Sequence, residues 1–296
     1  MISNKENILN KKTVLITGSS GYLGSSIYKI LKTNFNIIRV TQTSVGKNSY
    51  SCDLSNITEV MELSKKIAPE IIIHAAGLKN IQLCEDNQDL AYQMNTKTVE
   101  NICINFPESK IIYISSDYVF KGDRGLYSEA DKPNPITVYG ESKYQGELIG
   151  SYLSKTNFII LRTASIYSKN SSFINFLNIN IQENLPIKCF INSIFSPTYI
   201  HDLCIGIERI ISSNHEQPIY HISGRPISRY DFAYSYFEAG NFNMKLLVKE
   251  KKDSKHKYLF NDLSLSNKIT QGLLGLQNNS LKASFREIIN ASIEDA

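Results

Sequence analysis

At 296 residues, 42% hydrophobic and 20% charged, the chain has a globular composition with material for one large or two modest cores, which excludes disorder, a collagen repeat and a disulfide scaffold. Thirty-two Lys and Arg against 28 Asp and Glu leave a net charge of +4, too small and too scattered for a protein that coats nucleic acid. No apolar run approaches the roughly 20 residues that span a bilayer, and residues 1–12 carry both charge signs without an apolar segment, so neither a membrane helix nor a secretory leader is expected.

The five cysteines (Cys52, Cys84, Cys103, Cys189 and Cys204) are odd in number and lack CxxC spacing, so they read as reduced packing residues rather than disulfides or zinc ligands. A cytoplasmic location is expected.

Residues 13–16 form the first predicted strand, an apolar run that leads into Thr17-Gly18-Ser19-Ser20-Gly21-Tyr22-Leu23-Gly24 and a helix over 22–31. Three glycines between a strand and a helix suit a dinucleotide. Gly18 permits the tight turn, Gly21 lets the backbone approach a pyrophosphate, and Gly24 allows close packing of helix on strand. Ser20, Tyr22 and Leu23 complete the loop, and the helix start offers free N–H groups to the phosphates. The second strand, 37–41, carries no acid at its end. Arg39 and Ser44, with Lys47, are placed to accept a 2′-phosphate, which favours NADPH over NADH. After a short third strand, Asp53 and Leu54 are candidates to flank the adenine, although Asp53, Ser55 and Asn56 all compete as the N-cap of a helix over 57–67.

The fourth strand, 71–75, runs into Ala75-Ala76-Gly77, and a single helix is expected over 89–105. The fifth strand, 110–115, ends at Ser116, whose hydroxyl could meet a substrate oxygen. A helix over 139–153 opens with Tyr139 and Lys143, four residues apart and therefore on one face. An ammonium beside a phenol lowers the phenol pKa toward neutrality and makes it usable in acid–base work. Tyr28 and Lys32 share the same spacing but sit late in the first helix, whereas Tyr139 and Lys143 open theirs just after the loop beyond the fifth strand, at the carboxyl end of the sheet where open α/β folds bind ligands. A sixth strand is expected over 158–162. Beyond about residue 165 the pattern loosens into short segments over 171–182, 187–191, 202–212 and 227–238, and the Lys-rich stretch 249–257 reads as a solvated loop.

The block from Ser115 to Glu147, with Ser115-Ser116-Asp117-Tyr118-Val119-Phe120 and Tyr139-Gly140-Glu141-Ser142-Lys143 at its two ends, resembles the extended short-chain dehydrogenase/reductase family and, within it, the dTDP-4-dehydrorhamnose reductase group. Fainter traces are His74-Ala75-Ala76-Gly77, Asn95, Arg162-Thr163, Ser196-Pro197-Thr198 and Tyr220-His221-Ile222-Ser223-Gly224. The resemblance implies an α/β fold: a Rossmann-type doubly wound parallel sheet over 1–165, and a smaller substrate-binding part drawn mainly from 166–296 and interleaved with it.

It further implies Tyr139 as proton donor, Lys143 as the residue that binds the nicotinamide ribose, and Ser116 beside the carbonyl. The reaction would be NADPH-dependent reduction of a nucleotide-linked 4-keto-6-deoxy sugar for polysaccharide synthesis. Asp117, Tyr118 and Val119, with Lys188, Arg225 and Tyr220, are the weaker substrate candidates. The alternatives are an epimerase or epimerase-reductase of the same superfamily and, from another class, a non-catalytic NADP-binding regulatory subunit. Some family members hold a magnesium through a glutamate at a dimer contact; only Glu85 matches, and no metal is expected. A homodimer fits the resemblance, whereas nucleic-acid and membrane partners do not.

Overall fold

The computed structural model describes residues 11–43, 46, 48–154, 157–213, 217–253 and 260–294. Seven strands form the central sheet: β1 (Thr13–Thr17), β2 (Asn36–Thr41), β3 (Ser49–Ser51), β4 (Ile71–His74), β5 (Lys110–Ser116), β6 (Phe158–Thr163) and β7 (Ile219–Ile222). Their spatial order is β7-β6-β5-β4-β1-β2-β3. The β1–β2, β1–β4, β2–β3 and β4–β5 pairs are all parallel. Every residue of β4 and β6 is buried, as expected of strands covered on both faces. The fold is therefore the Rossmann-type α/β arrangement anticipated above, and the strand order reverses between β1 and β4, where such sheets bind ligands.

The helices of this part are α1 (Tyr22–Leu31), α2 (Ile57–Ser64), α3 (Ile81–Asp86), α4 (Gln88–Tyr92), α5 (Thr98–Asn105) and α6 (Val138–Ser154). Asn56 wins the competition to cap α2, accepting the N–H groups of Thr58 and Glu59 at 3.0 and 3.4 Å. The single helix expected over 89–105 is instead two. A π-helical turn, Gln93–Lys97, separates α4 from α5, and it turns Asn95 inward to the Leu78 backbone N–H and the Ser142 hydroxyl, both outside the helix. Leu15, Ile72, Ile111 and Tyr113 of the strands pack with Val60, Val99 and Ile102 of the helices in one apolar cluster.

The chain divides into two compact units. The first comprises Met1–Val119, Pro135–Arg162 and Ile207–Tyr220; the second comprises Phe120–Asn134, Thr163–Gly206 and His221–Ala296. A simple cut near residue 165 differs from this at two segments, 120–134 and 207–220, because each packs with the unit distant from it in sequence.

In the second unit lie α7 (Ser172–Gln182), α9 (Arg229–Gly240), α10 (Lys268–Leu274) and α11 (Leu281–Glu294), while α8 (Ile200–Ser212) runs across the boundary. Rings of Tyr167, Phe232, Tyr236 and Phe285 form its core, with Phe232 and Phe285 centroids 4.9 Å apart and edge to face. All five cysteines are free and buried, and burial raises the thiol of Cys103 to about 11 and that of Cys204 to about 12, as expected of inert packing groups. No helix among the described residues is long and apolar enough to cross a membrane.

Candidate active site

The turn after β1 is held from both sides. Gly18 has φ +62°, and a Cβ built there would stand 2.8 Å from Ala76 Cα, so β4's continuation lies directly against it. Ser19 is tied to β2 through the Val40 carbonyl, which accepts both its N–H and its hydroxyl at 3.3 Å. Helix α1 starts at Gly21 with no side-chain cap and no acid in its first turn. Ser20 and Gly21 are exposed, and Tyr22 and Leu23 are half-buried. Uncapped N–H groups, positive helix dipole and a bare backbone make a surface fitted to a pyrophosphate.

A polarised chain of hydrogen bonds fastens this turn to the rest of the unit. Thr17 Oγ1 accepts the Ala76 N–H at 3.2 Å and donates to His74 Nδ1 at 2.9 Å. His74 Nε2–H then donates to Thr98 Oγ1 at 3.1 Å, and the Thr98 hydroxyl donates to the Met94 carbonyl at 2.9 Å. These partners assign the Nε2–H tautomer. Burial, with the Lys143 ammonium nearby, pushes His74 down to about 3, so the ring is neutral at physiological pH.

At the end of β2 the Arg39 guanidinium lies 4.7 Å from the Tyr28 ring centroid, with Lys32 Nζ at 5.7 Å from the same ring. The second Tyr–Lys pair is thus a cation–π cluster beside the cofactor strand, not an acid–base pair. Ser44 and Lys47, expected to assist Arg39, lie outside the described residues. Asp53 accepts the N–H and hydroxyl of Ser55 at 2.9 and 2.7 Å, and the Leu54 carbonyl accepts Asn101 Nδ2 at 2.9 Å.

Helix α6 brings the reactive groups together. Thr137 Oγ1 accepts the Gly140 N–H at 3.0 Å, and Glu85 Oε1, from α3, accepts the Val138 N–H at 2.8 Å, so two side chains cap the turn that carries Tyr139. Ser116 Oγ donates to Asp117 Oδ1 at 2.9 Å and accepts the Tyr118 N–H at 3.3 Å. Ser116 acts on the Tyr139 phenol closely enough to lower it in part. The Tyr118 and Tyr139 rings meet edge to face at 5.5 Å. Val119 is fully buried and offers no side chain to a ligand.

Lys143 does not act on the phenol as its spacing suggested. Its Nζ donates to the Ile114 carbonyl at 2.6 Å and lies 4.1 Å from the Tyr113 ring centroid. Burial lowers Lys143 to about 7, with Glu147 opposing the fall. Tyr139 moves in the opposite direction to the expectation: burial raises it to about 12, Ser116 pulls it down in part, and Asp117 and Cys84 add to the rise. A buried backbone carbonyl is the hydrogen-bond partner of the ammonium, and the phenol stays protonated at neutral pH.

The nucleotide turn and the triad belong to one place. Gly18 abuts Ala76, and at the next residue, Gly77, a Cβ would stand 2.7 Å from Asn95 Oδ1 and 3.9 Å from Lys143 Nζ. Asn95 itself accepts the Leu78 N–H at 2.8 Å and donates to Ser142 Oγ at 3.0 Å, joining that segment to α6. The spacing of Asn95, Ser142 and Leu78 along the chain gave no signal of this bridge. Lys188 and Arg225 belong to the second unit, where both are exposed and Lys188 Nζ is 3.6 Å from Glu250 Oε1. Among the described residues no His, Cys, Asp and Glu side chains group as a metal site.

The family model described as the RmlD substrate binding domain matches residues 12–258. The chain belongs to this family. Its curated relatives include a dTDP-4-dehydrorhamnose reductase of Aggregatibacter actinomycetemcomitans, 30% identical over 238 residues, covering 76% of this chain and 78% of the relative. They also include the methionine adenosyltransferase 2 subunit beta of Xenopus laevis, 28% identical over 244 residues, covering 78% and 72%. Among solved structures, dTDP-4-dehydrorhamnose reductase from Bacillus anthracis str. Ames in complex with NADP superposes with a TM-score of 0.84 at 28% identity, over 95% of this chain and 98% of that one. The RmlD family assignment covers both compact units except residues 1–11 and the C-terminal segment after residue 258.

Proposed function

We propose that this family member is an NADPH-dependent reductase of a nucleotide-linked 4-keto-6-deoxy sugar, with dTDP-4-dehydrorhamnose as the first substrate to try. One observation supports the reading: Lys143 bonds the Ile114 carbonyl of β5 and lies beside Gly77, next to the residue that abuts the glycine turn after β1, while Tyr139 opens the same helix one turn earlier.

The residues fit the cofactor. The Gly18–Gly24 turn and the open start of α1 would hold the pyrophosphate, Ala75–Gly77 would border it, and Arg39 would take the 2′-phosphate. Bound NADPH supplies the hydride. Lys143 then holds the nicotinamide ribose, and the Ser116 hydroxyl hydrogen-bonds the substrate carbonyl oxygen. Tyr139 gives its phenolic proton to that oxygen as negative charge develops on it. A phenol raised to about 12 suits this direction, because reduction needs an acid that is protonated at neutral pH. An epimerase must first use the same group as a base, which the raised value opposes.

The test is NADPH consumption by purified protein, with NADH as control, on dTDP-4-dehydrorhamnose generated in situ and on other nucleotide-linked keto sugars. Oxidation with any of them supports the reductase. Silence across the panel with NADPH still binding transfers the reading to a non-catalytic subunit; the Xenopus relative is named as a subunit, the beta subunit of methionine adenosyltransferase 2. The five free cysteines suit a reducing compartment, so action in the cytoplasm is part of this reading. The exposed Leu148 and Tyr152 of α6 would serve a homodimer contact.

Arg39 gives a separate check. Arg39→Ala should weaken NADPH binding by about 10- to 100-fold, the worth of a charge-assisted hydrogen bond, and leave NADH nearly unchanged in a fluorescence titration. Equal weakening of both would confine Arg39 to packing on Tyr28.

A further inference from the structure

Glu147 and Arg162 form a charged pair in the interior of the first unit, each 2% exposed. Arg162 Nε donates to Glu147 Oε1 at 2.9 Å and Nη2 to Oε2 at 2.7 Å, and Ser115 Oγ donates to Oε1 at 2.5 Å. The carboxylate therefore ties α6, β6 and β5 to one another. Apolar side chains of similar volume would hold three such elements together about as well, so stability alone does not account for burying two charges.

Their place in the unit does. Ser115 stands between Ile114, whose carbonyl receives Lys143 Nζ at 2.6 Å, and Ser116, which acts on the Tyr139 phenol. Glu147 lies one helical turn beyond Lys143 on the same face of α6.

We propose that Glu147 is a positioning residue for the reduction: its carboxylate, clamped by Arg162 and Ser115, fixes the strand end that meets Lys143 and Tyr139 and provides the charge that keeps the Lys143 ammonium protonated in a desolvated site. The inference rests on the roles proposed above for Lys143 and Tyr139.

The groups around Lys143 leave this task to Glu147. Tyr113 of β5 is neutral, its hydroxyl pushed well above the ordinary value by burial, and His74 of β4 is neutral too. Tyr139 of α6 is protonated, and the fields of Cys84 from α3 and Asp117 from the turn after β5 act on Tyr139. Glu85 of α3 is engaged with the Val138 N–H. Arg162 of β6 is taken up by Glu147 itself. Glu147 is the charge that opposes the desolvation of Lys143, whose value stands at about 7.

The experiment is kcat/KM for NADPH as a function of pH, which reports groups of the free enzyme. A lysine titrating near 7 is cationic below that pH and neutral above it, so wild-type kcat/KM should be flat on the acid side and fall above about pH 7. Glu147→Gln keeps the size and the acceptor for Ser115 but removes the charge. Its break should move to lower pH by about one unit or more. A fluorescence titration of NADPH at each pH should move in parallel, without any turnover.

Glu147→Gln leaves Arg162 without a counter-ion, so the double variant Glu147→Gln/Arg162→Met, which removes both charges at similar volume, is measured beside it. A break displaced to lower pH in the double variant too, by less than in the single because the Arg162 charge has also gone, supports the proposal. An unchanged break in a folded variant overturns it, as does failure of both variants to fold, which would assign the pair to stability. A wild-type protein that binds NADPH yet reduces no keto sugar overturns the reductase reading instead.

Discussion

Tyr139→Phe should lower kcat by about 10²- to 10⁴-fold while leaving the Kd for NADPH within about twofold of wild type. The ring stays, so its edge-to-face contact with Tyr118 at 5.5 Å is kept and only the hydroxyl goes. Losing the hydroxyl of a buried phenol should change stability by no more than about 1 kcal/mol. Lys143 is held by the Ile114 carbonyl and the Tyr113 ring, neither of which involves Tyr139, so the ribose-binding ammonium should not move. The lost rate corresponds to about 3–5 kcal/mol of transition-state stabilisation, several times the lost stability. A steady-state assay with NADPH in excess, paired with a thermal melt, separates the two. If turnover falls less than about threefold, proton donation passes to another group, and Asp117, which accepts the Ser116 hydroxyl at 2.9 Å, becomes the one to replace next.

The parts of this site that could be read from the sequence are those set by local pattern. Buried strands announce themselves as short apolar runs, and β4 and β6 are such runs. A glycine turn between strand and helix is local as well, as is the i, i+4 spacing of Tyr139 and Lys143. That spacing is degenerate, since Tyr28 and Lys32 share it, and only the position of each pair relative to a strand end separates the acid–base candidate from the cation–π cluster.

What escaped the sequence depends on partners distant along the chain. Asn95 bonds Leu78 and Ser142, 17 and 47 positions away, and that pull accompanies the π-helical turn that breaks an otherwise continuous helical pattern. Helix α3 has six residues, too few for a periodicity to register, and its definition comes from Asn80, which caps it, and from Glu85, which caps α6. The direction of Lys143 is tertiary in the same sense. Spacing placed the ammonium near the phenol, but a carbonyl of β5 at 2.6 Å is the partner it takes. Helix α11 is a different case: Leu281, Phe285 and Ile288 keep helical spacing and are legible in the sequence.

Gly24→Ala should cost both the fold of the turn and the cofactor, whereas Gly21→Ala should cost the cofactor alone. A Cβ at Gly24 would stand 2.3 Å from the Gly18 carbonyl oxygen and 2.8 Å from Ser19 Cα. These are backbone atoms, so no side chain can swing away, and either α1 lifts off the turn or Gly18 moves. Gly18 cannot move alone, because it sits at φ +62° against Ala76. The displacement would pass to Gly77 and so toward Lys143. Overpacking of this kind costs about 1–3 kcal/mol, which should appear as a lowered Tm together with a loss of NADPH affinity of at least about tenfold.

Gly21 has φ −73° and ψ 169°, a conformation open to any residue, and its Cβ would meet only the Gly18 oxygen at 3.2 Å. The turn can give by the few tenths of an ångström required, so Tm should hold within the range of an ordinary surface change, about 0.5 kcal/mol. The new methyl would nonetheless stand where a pyrophosphate has to approach the backbone, and affinity should fall by about 10- to 100-fold. A melt and an NADPH titration on the two variants therefore test two separate statements about one turn. Should Gly21→Ala bind NADPH as wild type does, the phosphates do not lie over the start of α1, and the cofactor reading loses its anchor even if the fold stands.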